Sequence, residues 1–201
     1  SDLLVHVDIP QPDLAMEASF IVQTARHHAS GGDLDALVYV TPEGEESNGV
    51  TRLYHAAGNN WCAAVEWLVE QGANVHLGQP SDGFTPLQIA ASQGHSDAAV
   101  LLLDAGARVD DRIGDDMTLW GGRTALHLAA LHRHSKMCKL LLSRGFSLDA
   151  RNNDGDDPEA LARRWGHTAS ADFLAAVRAA GGWLPWLNAP REELLALRRR
   201  L

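Results

Sequence analysis

Cysteine is nearly missing from this sequence: Cys62 and Cys138 stand 76 positions apart, and neither belongs to a Cys-x-x-Cys motif. That scarcity leaves no disulfide framework. Two buried, reduced thiols are the expectation, with a single Cys62 to Cys138 bridge as the alternative. Reduced thiols fit the cytoplasm or another reducing intracellular compartment. The chain opens on Ser1 rather than methionine, so an organelle-targeting segment removed ahead of it stays an open alternative. Long apolar runs are missing too. No stretch approaches the roughly 18 consecutive apolar residues that a membrane span requires, and no positively charged start leads into an apolar run as in a secretory signal.

Positive charge is also in short supply. Seventeen Lys and Arg face 26 Asp and Glu, a formal charge of −9. The one basic run, Arg198 to Arg200, lies at the extreme end. Binding to a phosphate backbone needs a clustered cationic face, so nucleic acid is not an expected partner. Phosphate-cradling glycine loops and the Gly-x-Ser-x-Gly elbow are absent as well. Four aspartates fall between Val109 and Gly121, without the residue order of a calcium loop. His132 and His134, two apart, do not share a helical face, and neither they nor His27 and His28 have a third ligand at a defined spacing. The expectation is a protein with no metal, no cofactor and no catalytic residue, and hence not an enzyme.

What the sequence does contain is repetition. "GFTPLQIAA" at 83–91 returns as "GRTALHLAA" at 122–130 and, more loosely, as "GVTRLYHAA" at 49–57. Thr51, Thr85 and Thr124 follow one another at 34 and 39 residues, and a degenerate fourth copy begins at Asp157, 33 further on. After each start come a small pair (Ala56-Ala57, Ala90-Ala91, Ala129-Ala130), an apolar run (such as Leu101, Leu102, Leu103), and a glycine (Gly72, Gly106, Gly145). The threonines and Asp157 are placed to cap a first helix, with Pro86 and Pro158 suited to its first turn. The glycines are placed to end a second helix where φ is positive. A period near 33 indicates a stacked array in which each helix pair covers its neighbour.

This pattern resembles the ankyrin repeat, strongly over residues 49–180. The resemblance implies an all-α solenoid of stacked helix-turn-helix units with β-turn fingers. The chain then divides into an extended segment at 1–12, a helical capping unit with an acidic connector at 13–48, repeats at 49–82, 83–121, 122–154 and 155–180, and a carboxy-terminal segment at 181–201. The capping unit shows two helical patterns split by Gly31-Gly32. Arg163 stands where other copies carry alanine. His127 occupies the motif's own histidine position, with Tyr54 and Gln88 as its equivalents, and His95 and His167 follow the motif's glycine, so these histidines are expected to be structural. The finger from Val109 to Gly121 exceeds the period by about six residues and reads as a solvated extension with Trp120 at its end.

Ankyrin arrays hold partner proteins on the concave face formed by the fingertips and first helices, and the function implied here is a non-enzymatic interaction scaffold, alone or within a larger complex. Carried over by register, the fingertip positions include Ser81, Asp82, Phe84, Trp120, Arg123, Asn153, Asp154 and Asp156, and the helix positions include Gly58, Ser92, Leu131, His132, Arg164 and Trp165. Of these, Phe84, Trp120, Arg123, Leu131, His132, Arg164 and Trp165 form the expected partner-binding patch, because Trp and Arg dominate interface energetics. In the tail, Trp183 and Trp186 flank Pro185, and Leu194, Leu197 and Leu201 recur at helical spacing in a helix over 189–201. That helix either caps the last repeat or makes a second protein contact. Its Pro190, Leu194, Leu197 and Arg198 loosely resemble the SOCS box of ubiquitin-ligase adaptors, without the cysteine expected after Leu197. The alternative function is therefore a substrate-recruiting adaptor.

Overall fold

The computed structural model describes residues 14–36, 50–80, 83–114 and 120–188. Among them are ten helices and no strand. After α1 (Leu14–Ala29), eight helices form four hairpins: α2 (Arg52–Gly58) with α3 (Cys62–Glu70), α4 (Pro86–Gln93) with α5 (Ser96–Asp104), α6 (Ala125–Leu131) with α7 (Ser135–Ser143), and α8 (Pro158–Arg164) with α9 (Thr168–Ala179). The short α10 (Trp183–Asn188) follows. Helices α2, α4, α6 and α8 lie side by side in one row, and α1, α3, α5 and α7 in a second.

Local chemistry starts each hairpin. The Thr51 hydroxyl accepts the Tyr54 N–H at 3.2 Å, and the Asp157 carboxylate accepts the Ala160 N–H at 2.8 Å. At Thr85 the cap is reciprocal, because the Gln88 side chain also accepts the Thr85 N–H at 2.9 Å. His127 takes the same place as Gln88, its Nδ1 accepting the Thr124 N–H at 3.2 Å while Nε2 donates to the Asp156 carbonyl at 3.1 Å. Second helices end on Gly72, Gly106 and Gly145, at φ 88°, 90° and 90°. The next residue's N–H then returns to a carbonyl of the last turn, as from Ala107 to Leu102 at 2.9 Å.

Stacking supplies the core. The alanine pairs of the first three repeats are fully buried, which is what lets consecutive inner helices approach closely. Leu53, Leu87 and Leu126 repeat on the inner row, and Leu68, Leu102, Leu141 and Leu174 on the outer helices, all nearly or fully buried. Each contributes on the order of 2 kcal/mol by leaving water. In the last hairpin Ala162 stays buried while Arg163 turns outward to Glu159 at 3.2 Å and Asp172 at 3.6 Å. The polar residue is tolerated because its side chain leaves the stack.

The ends of the array add two features to the repeats. Of the second pattern expected in the capping unit only residues 33–36 are described, and they form a turn in which the Asp33 carboxylate accepts the Asp35 N–H at 2.9 Å; residues 37–40 lie outside the described residues. The guanidinium of Arg52 donates to the carbonyls of Asp33 and Ala36, at 3.1 and 3.2 Å. These bonds hold the backbone in the turn. Helix α1 therefore acts as the outer helix of the capping unit, packed on α3, and its buried Glu17 accepts the Ala64 N–H at 3.0 Å near the start of that helix. At the other end, the Trp-Pro segment is itself a helix, with Trp183 and Trp186 stacked at 5.3 Å and Trp186 edge-on to Phe173 at 5.4 Å. The segment 1–12, the connector 41–48, fingertips Ser81 and Asp82, and the helix expected over 189–201 with its SOCS-like residues lie outside the described residues.

Fingers are closed by backbone bonds: Gln79 N–H to Phe84 O, Ile113 N–H to Arg123 O, and Asn152 N–H to Asp156 O, each at 2.9 Å. The root of the long finger is not solvated as the sequence suggested. Ile113 is fully buried against Phe84 and Leu128, with Trp120 packed on the same cluster.

Candidate functional site

Between the third and fourth hairpins lies a groove of about 910 Å³, lined by the ends of α6 and α8 and by their fingers. Six residues of the expected patch line it: Trp120, Arg123, Leu131, His132, Arg164 and Trp165. They come from three separate stretches of chain, and stacking alone brings them together. The seventh, Phe84, does not line the groove. It is 6% exposed, buried against Ile113 with its ring edge-on to Trp120 at 5.7 Å, so it supports Trp120 from below.

Trp120 organises the floor. The Arg123 guanidinium lies 4.9 Å from its ring centroid, a cation–π distance, and the His132 ring stacks at 6.4 Å. Arg123 is only 6% exposed. Burial lowers the pKa of its guanidinium, while Asp154 and Asp156 favour its charge through space. Burial also lowers the pKa of His132, aided by the nearby His134, His167 and Arg123, so its ring is held toward the neutral form. Arg164 spans the two finger carboxylates, meeting Asp156 at 2.8 Å and Asp154 at 3.7 Å. Both of these acids are thereby tied to one arginine at the rim.

The walls differ in character. Trp165, at the end of α8, is 60% exposed, an unusual state for so large an apolar surface. Leu131 is nearly buried beside it in the lining. Asn153 and Asp154, fingertip positions by register, complete the far edge. His167 also lines the groove, although its position after the motif glycine reads as structural. The other histidines after the turn between helices do serve the stack: His95 bonds the Gly58 carbonyl at 3.1 Å and His134 the Ser92 carbonyl at 2.9 Å. His167 instead accepts from Arg133 Nε at 2.8 Å, a departure that the motif alone does not signal.

Apolar rings, one stacked guanidinium and a rim ion pair suit shape and charge recognition. Cys62 and Cys138 are both free. Burial pushes the Cys138 thiol up to about 12, far from the pKa of a reactive cysteine. Among the described residues no helix is long and apolar enough to cross a membrane.

Comparison with known proteins agrees with this architecture. The family described as "Ankyrin repeats (3 copies)" matches residues 23–113 and 112–180. Among curated proteins, the chain is 42% identical over 82 residues to the glycerophosphocholine phosphodiesterase GDE1 of Eremothecium gossypii. That match covers 41% of this chain and 6% of the relative's length, within the repeats only. It is a likeness of repeats. Four stacked hairpins with capped first helices, alanine-paired contacts and closed fingers, matched over most of their length by one family, make this chain a member of the ankyrin-repeat family.

Proposed function

We propose that this chain is a non-enzymatic interaction module that holds a partner protein in the groove between its third and fourth repeats. Ankyrin repeats are general protein-interaction modules, and the observation that supports this site within the array is the pairing of Trp165, 60% exposed, with a concave floor built on Trp120 and Arg123. Exposed tryptophan over a preformed hollow stabilises a complex by large area burial at small loss of side-chain entropy. The floor is already ordered, with Trp120 pinned by Phe84, Arg123 and His132, so binding demands little rearrangement.

The experiment is affinity capture from the source cells with the intact protein, with Trp165→Ala, and with Lys136→Ala on the exposed side of α7. The reading expects a captured protein that Trp165→Ala loses and Lys136→Ala retains. Equal capture by all three proteins removes the groove from the function.

A further inference from the structure

Arg123 is 6% exposed, lines the groove, and carries an Nε–H with no acceptor among the described residues. Elsewhere this chain satisfies its buried arginine. Arg52, 7% exposed, spends one guanidinium nitrogen on the carbonyls of Asp33 and Ala36. A buried charged donor left unmet is unfavourable and rare, and because Arg123 belongs to the lining of the groove, a carboxylate seated there can draw its guanidinium into a hydrogen bond. The acids nearest to it are turned toward Arg164 instead, which donates to Asp156 at 2.8 Å and lies 3.7 Å from Asp154, and neither accepts from the Arg123 Nε–H. Trp120 lies against the guanidinium, its ring centroid 4.9 Å from Cζ, which holds the charge in the floor of the groove.

This inference rests on the groove being the partner surface. We propose that the occupant is a segment of a partner protein that presents an Asp or Glu side chain immediately beside an aromatic or branched aliphatic residue. The carboxylate accepts hydrogen bonds from Arg123, and the apolar neighbour covers Trp165 against Leu131. A planar guanidinium matches a carboxylate through two parallel bonds. A basic segment would instead bring its cation against both Arg123 and Arg164, whose charges face the same hollow.

The test uses the full chain with 15N-labelled arginine and a set of eight-residue peptides on a Gly-Ser frame. Their central pair is Asp-Phe or Glu-Leu, with amide twins Asn-Phe and Gln-Leu and a basic twin Lys-Phe. Acidic peptides are expected to move the Arg123 Nε–H resonance and to bind at least tenfold more tightly than their amide twins. Arg123→Gln should erase the acid-over-amide preference. Because Arg123 is buried, Trp165→Ala at an exposed position is the second variant, expected to weaken every peptide while the acid-over-amide ratio persists. Amide or basic twins that bind as well as the acids, or an Nε–H resonance unmoved by any peptide, overturn the proposal. If capture from cells still depends on Trp165 in that case, the groove stands as the partner surface and only the carboxylate assignment falls.

Discussion

Replacing His127 by glutamine should flatten the acid side of this protein's stability profile. His127 is fully buried, with Nδ1 accepting from Thr124 and Nε2 donating to the Asp156 carbonyl, so the fold needs the neutral ring. Burial is the main cause that brings its pKa down to about 4 from the ordinary 6.5. Between these values the unfolded chain binds a proton that the folded chain refuses. The contribution of neutral His127 is therefore complete above about pH 6.5 and is lost as the pH falls toward 4. A gap of about 2.5 units, at about 1.4 kcal/mol each, makes the loss roughly 3 kcal/mol. Glutamine does not titrate, and Gln88 shows that it fits: it accepts from Thr85 at 2.9 Å and donates to the Asp111 carbonyl at 3.0 Å, the equivalent bonds one repeat earlier. Burial also lowers the pKa of His55 and His95, but these titrate in both proteins and cancel in the difference. Urea unfolding followed by far-UV circular dichroism from pH 7.5 to 4 should show the wild type losing about 3 kcal/mol relative to His127→Gln. Parallel profiles for the two proteins would refute the argument.

Further outcomes follow from the same geometry. Gly94 has φ 77°, and an added Cβ would sit 2.4 Å from His134 Nδ1. Gly94→Ala should cost about 2 kcal/mol or more by strain and by displacing the His134 bond to Ser92, read as a drop in urea midpoint. Leu102→Ala, at a fully buried site in the middle of the stack, should cost about 3 to 5 kcal/mol, whereas Leu184→Ala, at a site 68% exposed, should stay within about 0.5 kcal/mol. Equal thermal shifts for these two would contradict stacking as the source of stability. Cys138, fully buried with its thiol pushed up to about 12, should resist iodoacetamide at pH 8 until the protein unfolds, as followed by mass spectrometry.

Much of the fold was legible because its causes are local. A threonine or aspartate cap acts on an N–H three residues away, as Thr51 does on Tyr54 and Asp157 on Ala160. The alanine pairs and leucine runs recur with the period that stacking requires, so their burial follows from spacing. Long-range side-chain bonds left no such trace. Glu17 accepts from Ala64, 47 positions away, and nothing around Glu17 marks it as a cap. The short α10 was hidden by Pro185, which falls in the first turn, where no intrahelical N–H bond is lost.

The site was legible to the extent that register fixes direction. Leu131, His132, Arg164 and Trp165 close their inner helices at matching positions, so the repeat itself points them to one hollow. Phe84 departs from its register because its surroundings are set by Ile113, 29 residues later in a finger that breaks the period. A residue whose neighbour lies in an insertion cannot be placed by counting. His167 departs for a related reason: His95 and His134 reach back to a carbonyl of the preceding inner helix, and His167, held by Arg133, lines the groove.

The most direct measurement places a benzophenone side chain at position 165, inside the hollow, or at position 136, on the exposed side of α7, and irradiates the intact protein in its source cells. A partner joined from position 165 and absent from position 136 is the predicted result. Adducts that form only from position 136, or equally from both, would contradict the assignment of the groove as the surface that holds the partner.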